Sequence, residues 1–278
     1  MFNGLTINEC VSWLNDVPRN SWYRDKIKNI VKNKVVFEVG CGSGILAAYC
    51  LEFGAKHYYG VDIRSHRADY TRRLLDHMGY SGKHTIFSTN FLEFDGIDEK
   101  IDILLVEQTG NQYQNNFMNR QCWQHAQEIF PYDYISLPDQ WEVDVEVYNN
   151  LLNTEMLENC ASRFINDPSL PTNYYETVQK VSMLQPLLLE RNAFTININN
   201  CNNPVEFNIY LHNVDNATFV MQDYISFNGD RCYTASSLAD WPAPIVIAKE
   251  NINPITTFSW DTSLQYLPDF CRGYWKVS

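Results

Sequence analysis

Three glycines at alternate positions, Gly40, Gly42 and Gly44, directly follow the apolar, β-rich run Val35-Val36-Phe37-Glu38-Val39. Glycine lets backbone come close to a ligand and lets a helix start directly over it. The helix expected from near Ile45 offers free N–H groups to ligand oxygens. About twenty residues after the first glycine, Asp62 ends a second expected strand, where a carboxylate can accept from both hydroxyls of a ribose. Glu38 stands two residues before the first glycine, and an acid there suits a cationic ammonium better than a pyrophosphate. The spacing is G-x-G-x-G, with Ile45 and Leu46 where a dinucleotide loop has its third glycine. These residues in this order point to S-adenosylmethionine (SAM), which joins a nucleoside to a cationic amino-acid end. A nicotinamide-binding loop or an ordinary tight turn is the competing reading.

The elements that must position these groups follow from hydrophobic periodicity. From Ile7 to about Pro138, helical and strand patterns alternate, as in an α/β unit with a parallel sheet. Strands are expected at Val35–Val39, His57–Val61, His84–Ser88, Ile101–Val106 and Tyr134–Leu137. Beyond Pro138 the segments Trp141–Tyr148, Ala193–Ile198, Val205–His212, Phe219–Phe227 and Pro244–Lys249 alternate or run apolar between Asn, Gly and Pro, which reads as antiparallel β. Leu151, Leu152, Met156, Leu157 and Phe164 have helical spacing, so a helical excursion interrupts the β half. The expected division is residues 1–138 for the ligand and 139–278 for a β-rich unit, with a helical arm at about 150–190.

Composition narrows the function classes. With 21 Lys and Arg against 33 Asp and Glu, the formal charge is −12, which argues against a nucleic-acid phosphate binder and favours a cationic partner. The cluster Arg64, His66, Arg67, Arg72 and Arg73 reads as a solvated helix face. The 8 cysteines form no C-x-x-C pair and no histidine sits at ligand spacing to them, so no metal site is expected. Free thiols in a reducing compartment, no membrane span and no signal peptide together predict a soluble cytoplasmic protein. The abundance of Asn and Gln, as in NQYQNN and NININNCNNP, suggests an AT-rich coding genome such as that of a virus or a low-GC bacterium.

Taken together, the motifs resemble those of the class I SAM-dependent methyltransferases and, within them, of the protein arginine methyltransferases, most tightly from about Asn15 to Tyr148. The stretch DVPRNSWYRDKI looks like that family's N-terminal helix, with an arginine followed four residues later by a tyrosine. The resemblance implies a Rossmann-like, parallel-sheet SAM-binding domain followed by an antiparallel, β-barrel-like domain with a helical insertion. It implies that Arg19 holds the methionine carboxylate of SAM, for which its planar fork is suited. Glu38, Gly40, Gly42 and Gly44 would form the first cofactor motif, and Asp62 would take the ribose. Asn90, in IFSTNFLEF, falls where many relatives accept from the adenine amino group with an aspartate, and an amide oxygen can do the same.

The chain departs from the family where the acceptor would bind. Relatives end the fourth strand in a glutamate and supply a second nine residues later; here these positions hold Glu107 and Asn116. The family's Thr-His-Trp loop reads Ala239-Asp240-Trp241, so Asp240 is a candidate for part of the missing negative charge, or else caps a loop. The resemblance implies a protein substrate with arginine as the leading acceptor. In relatives a helical arm makes a head-to-tail homodimer, for which Leu151–Phe164 is the candidate; monomeric packing of the same stripe is the other reading. A fold that keeps the donor site as an interaction or structural module, without catalysis, is the alternative. Past Asn251 the resemblance fades and the barrel looks shorter than usual.

Overall fold

The computed structural model describes residues 14–107, 114–148, 188–197, 199, 201, 206–211, 216–233, 245–250, 255–261 and 274–277. Helix α1 (Val17–Ile30) has Pro18 in its first turn, and the Asp16 side chain caps it by accepting from the Arg19 backbone N–H at 3.3 Å. Its inward face carries Arg19, Asn20, Tyr23 and Ile27, the three-to-four spacing of one helix side.

A parallel five-stranded sheet follows, built from β1 (Val35–Val39), β2 (His57–Asp62), β3 (His84–Ser88), β4 (Ile103–Val106) and β5 (Ile135–Leu137) in the order β3-β2-β1-β4-β5. Helices α2 (Ile45–Glu52), α3 (Ser65–His77) and α4 (Gln114–Ile129) connect successive strands. The central strands β1 and β4 are buried along their whole length, as expected of strands covered on both faces. On one face Phe37 packs against Phe91, Phe94 and Phe130, with ring centroids 5.8, 5.6 and 5.2 Å away. The expected strand at Ile101 starts at Ile103 instead. Asp102 turns its carboxylate back to accept from the Val35 N–H at 2.9 Å, which pins β1.

After a cis Leu137–Pro138 bond the sheet type changes. Strands β6 (Gln140–Tyr148), β7 (Leu188–Asn197), β9 (Asn216–Phe227), β10 (Asp230–Tyr233) and β11 (Ile245–Glu250) form one antiparallel sheet in the order β10-β9-β6-β7, with β11 also on β9. Strands β8 (Glu206–Tyr210), β12 (Ile255–Asp261) and β13 (Tyr274–Val277) form another. This agrees with the antiparallel β half expected from the sequence. Two strands, β12 and β13, continue the β structure past Asn251. The helical arm read at about 150–190 falls almost wholly outside the described residues, and from Leu188 the chain is strand. No helix among the described residues is long and apolar enough to cross a membrane.

The two halves share their cores. Trp141, Val145, Val147, Ile209 and Leu211 pack with Phe37, Trp123 and Phe130, while Ile225, Phe227 and Cys232 pack with Tyr23, Ile27 and Leu137. The hairpin β9–β10 lies against α1, and Lys26 pairs with Asp230 across that contact.

Trp123 is fully buried, and its indole N–H donates to Ser136 Oγ at 2.9 Å, which in turn donates to the Pro138 carbonyl at 2.7 Å. Trp123→Ala is expected to destabilise by about 3–5 kcal/mol, and Ser136→Ala, which orphans the buried indole, by about 1–3 kcal/mol. Urea denaturation of both variants checks the order.

Candidate active site

The site lies where α1, the glycine loop and the carboxyl ends of β1, β2 and β4 meet. In open parallel sheets ligands bind at that edge. The loop glycines Gly40, Gly42 and Gly44 have φ of 78°, 47° and 74°, a region that side chains rarely adopt. A Cβ at Gly44 would also meet Thr71 Cγ2 at 3.1 Å and Leu74 Cδ2 at 3.2 Å, so a larger residue would push α2 off α3. The loop is braced from below: the Gly40 and Cys41 N–H groups donate to the Val61 carbonyl at 2.7 and 3.1 Å, and Thr71 Oγ1 donates to the Gly42 carbonyl at 3.0 Å.

Asp62 is buried at the end of β2. Its Oδ2 accepts from the Gly42 N–H and its Oδ1 from the Arg64 N–H, both at 2.9 Å. A carboxylate offers about four acceptor positions. These two bonds fix its orientation and leave capacity for a pair of hydroxyls. Asn90, half-buried, accepts from the Leu92 N–H at 3.2 Å and donates to Glu93 Oε1 at 3.1 Å, so it caps the short 3₁₀ turn Phe91–Glu93 and keeps a second lone pair on its amide oxygen.

Arg19 reaches from α1 to the residue after β4. Its Nε donates to Glu107 Oε1 at 3.0 Å, its second terminal nitrogen lies 2.5 Å from Glu107 Oε2, and the remaining one donates to Asn20 Oδ1 at 3.0 Å. The side chains of Arg19 and Glu107 are only 8% and 12% exposed, so the pair is largely withdrawn from water. Burial alone would lower the Arg19 pKa, but the attraction and hydrogen bonds of Glu107 outweigh it and the net shift is upward. The guanidinium carbon also sits 5.6 Å from the Tyr23 ring centroid.

Glu38 is 2% exposed and accepts from the Tyr58 hydroxyl at 2.5 Å. Burial pushes its carboxyl up to about 8; the Tyr58 hydrogen bond pulls the other way, and the nearby Glu107 adds to the rise. The donor set therefore fits a ligand with a ribose, an amino-acid carboxylate and an ammonium: Asp62 and the loop for the first, Arg19 for the second, Glu38 for the third.

Sequence reasoning and structure agree on bringing Arg19, Glu38, Gly40, Gly42, Gly44, Asp62 and Glu107 to one place. Asn116 lies in the first turn of α4, where only its backbone is described, and Asp240 and Trp241 lie outside the described residues. Three features were missed. The direct Arg19–Glu107 pair carries no local signal, because its partners are 88 residues apart. The Tyr58–Glu38 bond was equally hidden. Strand β10, whose Cys232 packs beside Tyr23, had a signal: Asn228 and Gly229 have φ of 51° and 78° and join Phe227 to Asp230, the two-residue hairpin that Asn-Gly favours.

Comparison with known proteins shows what this chain is similar to. The family model described as ribosomal protein L11 methyltransferase (PrmA) matches residues 5–105, which takes in the loop, Asp62 and Arg19 and stops short of Glu107. Among curated proteins, the probable protein arginine N-methyltransferase 1.2 of Arabidopsis thaliana is 34% identical over 100 residues, 35% of this chain and 27% of that protein. Protein arginine N-methyltransferase 1 of Saccharomyces cerevisiae is 35% identical over 100 residues, 35% of this chain and 28% of its own length. The match thus spans about a quarter of these relatives. The fold of the whole chain matches the crystal structure of PRMT6 with SAH at a TM-score of 0.63 and 15% identity, covering 96% of this chain and 98% of that one. It matches the Trypanosoma brucei PRMT1 enzyme–prozyme complex with AdoHcy at 0.62 and 18%, covering 96% of each. The chain resembles the class I SAM-dependent methyltransferases. It is similar to protein arginine methyltransferases in sequence over the matched stretch and in fold along nearly its whole length.

Two outcomes test this geometry. Glu107→Ala leaves the Arg19 charge buried without its carboxylate and is expected to destabilise by about 3–5 kcal/mol in denaturant titration; a loss below about 1 kcal/mol would show that the pair is not closed in solution. For Glu38, the folded carboxyl titrates at about 8 against an ordinary value of 4.5. Between those values the folded chain holds a proton that the unfolded chain has released. Its contribution is therefore full below about 4.5 and lost as pH rises through about 8. The variant Glu38→Gln, which cannot titrate, should show a flatter fall of Tm across that interval.

Proposed function

We propose that this protein is a SAM-dependent methyltransferase of the protein arginine type, acting on a side chain of a cationic protein. The observation that carries the reading is the arrangement of Arg19, Glu107, Glu38 and Asp62 around one glycine loop. It provides acceptors and donors for each end of SAM and sets one carboxylate, Glu107, at the exit of β4. The relatives' names supply the reaction class, and the net charge of −12 supports a cationic substrate. Residues 1–138 would hold the donor, and residues 139–278 would present the acceptor and any contact with a second copy. The described cysteines Cys41, Cys50, Cys122, Cys201 and Cys232 are free and buried, as in a reducing cytoplasm.

When bound, SAM supplies a methyl group already made electrophilic by its sulfonium, so the protein's work is alignment and exclusion of water. Arg19 and Asp62 fix the two ends of the donor. Glu107 orients the acceptor nitrogen: a guanidinium stays protonated at neutral pH, and a carboxylate both directs its N–H groups and balances its charge. In the free protein Glu107 is held by Arg19. Binding of a ligand carboxylate at Arg19 would compete for that fork and loosen Glu107 toward an acceptor, so donor binding prepares the acceptor site.

One observation favours a second reading. Asn116 replaces the second acid, and losing one charged hydrogen bond costs about 1.5–3 kcal/mol, roughly ten- to a hundredfold in rate. A chain that binds SAM but transfers nothing would be an interaction module. Calorimetric titration with SAM, together with transfer of labelled methyl into host lysate proteins, separates the two. The expected result is binding with transfer, and Glu107→Gln that still binds SAM but is at least about tenfold slower. Binding without any labelled protein would select the second reading, and equal rates for parent and variant would remove Glu107 from its role.

A further inference from the structure

Glu38 and Tyr58 are joined by a route that a single missing side chain opens. In the pairing of β1 with β2, Glu38 is opposite Gly60, and Tyr58 is opposite Val36. The Tyr58 side chain therefore lies along its own strand, over Gly60, to bring its hydroxyl to Glu38. A Cβ on Gly60 would stand 2.9 Å from that hydroxyl, 3.0 Å from Tyr58 Cε1 and 3.1 Å from Ile86 Cδ1. Glycine at 60 is what leaves the path clear. The resulting O–H···O contact is 2.5 Å long, with Tyr58 fully buried and Glu38 nearly so.

The groups that face Glu38 are largely negative or neutral. They are Tyr58 and Asp62 from β2, Glu107 after β4, Tyr23 and Arg19 from α1, Cys41 from the glycine loop and Cys50 from α2. Arg19, the cation among them, directs its fork to Glu107 and Asn20. Glu38 is thus a carboxyl with a fixed direction, a hydroxyl donor behind it, and a need for positive charge in front. Burial holds its proton up to about 8.

We propose that Tyr58 is a positioning residue for the donor site: its hydroxyl aims Glu38 at the ammonium of the bound amino-acid end, and Glu38 gives up its proton to solvent as that ammonium arrives. This rests on the SAM reading of the site given above. The exchange balances simply: a neutral carboxyl and an ammonium become a carboxylate–ammonium pair, and one proton passes to the buffer. The ammonium of a free amino acid, beside its own carboxylate, keeps its proton through this range. Below about 8 protein and ligand both carry their protons, and binding releases one. Well above it Glu38 is already ionised, and binding releases none. Proton release therefore fades as pH rises through about 8.

The test uses S-adenosylhomocysteine, which has the same amino-acid end and no methyl to transfer, titrated into the full chain in buffers of different ionisation enthalpy at pH 7, 8 and 9. The parent is expected to release about one proton at pH 7 and almost none at pH 9. Tyr58→Phe removes the bond that favours the carboxylate. Its affinity at pH 7 should fall about two- to tenfold, and the pH at which release falls to half should move upward. Glu38→Gln should still bind but release no proton at pH 7, which keeps the test decisive if Tyr58→Phe fails to fold. A Tyr58→Phe protein with weaker binding but an unmoved midpoint of release has a merely structural tyrosine, and the proposal falls while the donor site stands. Undiminished release in Glu38→Gln assigns the proton elsewhere and also overturns it. No binding by the parent at any pH overturns the donor-site reading and this inference together.

Discussion

A guanidinium with 8% of its side chain exposed requires a carboxylate, because an unpaired charge taken out of water costs several kcal/mol. Arg19 and Glu107 meet that requirement for each other, and much of the architecture serves to make them meet. Arg19 is delivered by the first turn of α1, which Asp16 and Pro18 fix in place. Glu107 is delivered by β4, buried along its length beside β1. The helix is held down by Tyr23 and Ile27, which pack in one core cluster with Ile225, Phe227 and Cys232 of the β9–β10 hairpin, so the antiparallel half also constrains the pair.

Around that pair the site gathers three acidic side chains, Glu38, Asp62 and Glu107, each stabilised by a different device. Glu107 has a buried cation. Asp62 has two backbone N–H groups, from the glycine loop and from the start of α3. Glu38 has a tyrosine hydroxyl and keeps its proton. The same three devices rank the groups for ligand exchange. Asp62 keeps its backbone bonds and offers spare lone pairs, Glu107 must be released from Arg19, and Glu38 must lose a proton. On the proposed reading, a zwitterionic amino-acid end attached to a nucleoside would engage all three at once.

Local patterns made much of this legible. Strands Val35–Val39 and His84–Ser88 were readable to the residue, because a short β-rich run ending in glycine or turn residues has few other solutions. The loop residues and Asp62 were readable because their chemistry is set by local spacing. The antiparallel strands were visible as segments with shifted ends: Ala193–Ile198 became Leu188–Asn197, since pairing along the whole of β6 extends it. Strands β12 and β13 were not seen, and the Asn228–Gly229 turn passed unread although its residue types announce a hairpin.

By itself the sequence determined the α/β order, the glycine loop with its following acid, and which residues could serve a nucleoside and a cationic amino-acid end. These depend on backbone preferences and spacings within about twenty residues, where the chain's own stereochemistry dictates the result. Only the tertiary structure decided that Arg19 is seated on Glu107, 88 residues away, and that Tyr58 reaches Glu38 across the bare backbone of Gly60. The physical reason is burial: once sheet and helix close over these groups, water no longer satisfies them, and each must find its partner among whatever the fold brings within hydrogen-bond reach.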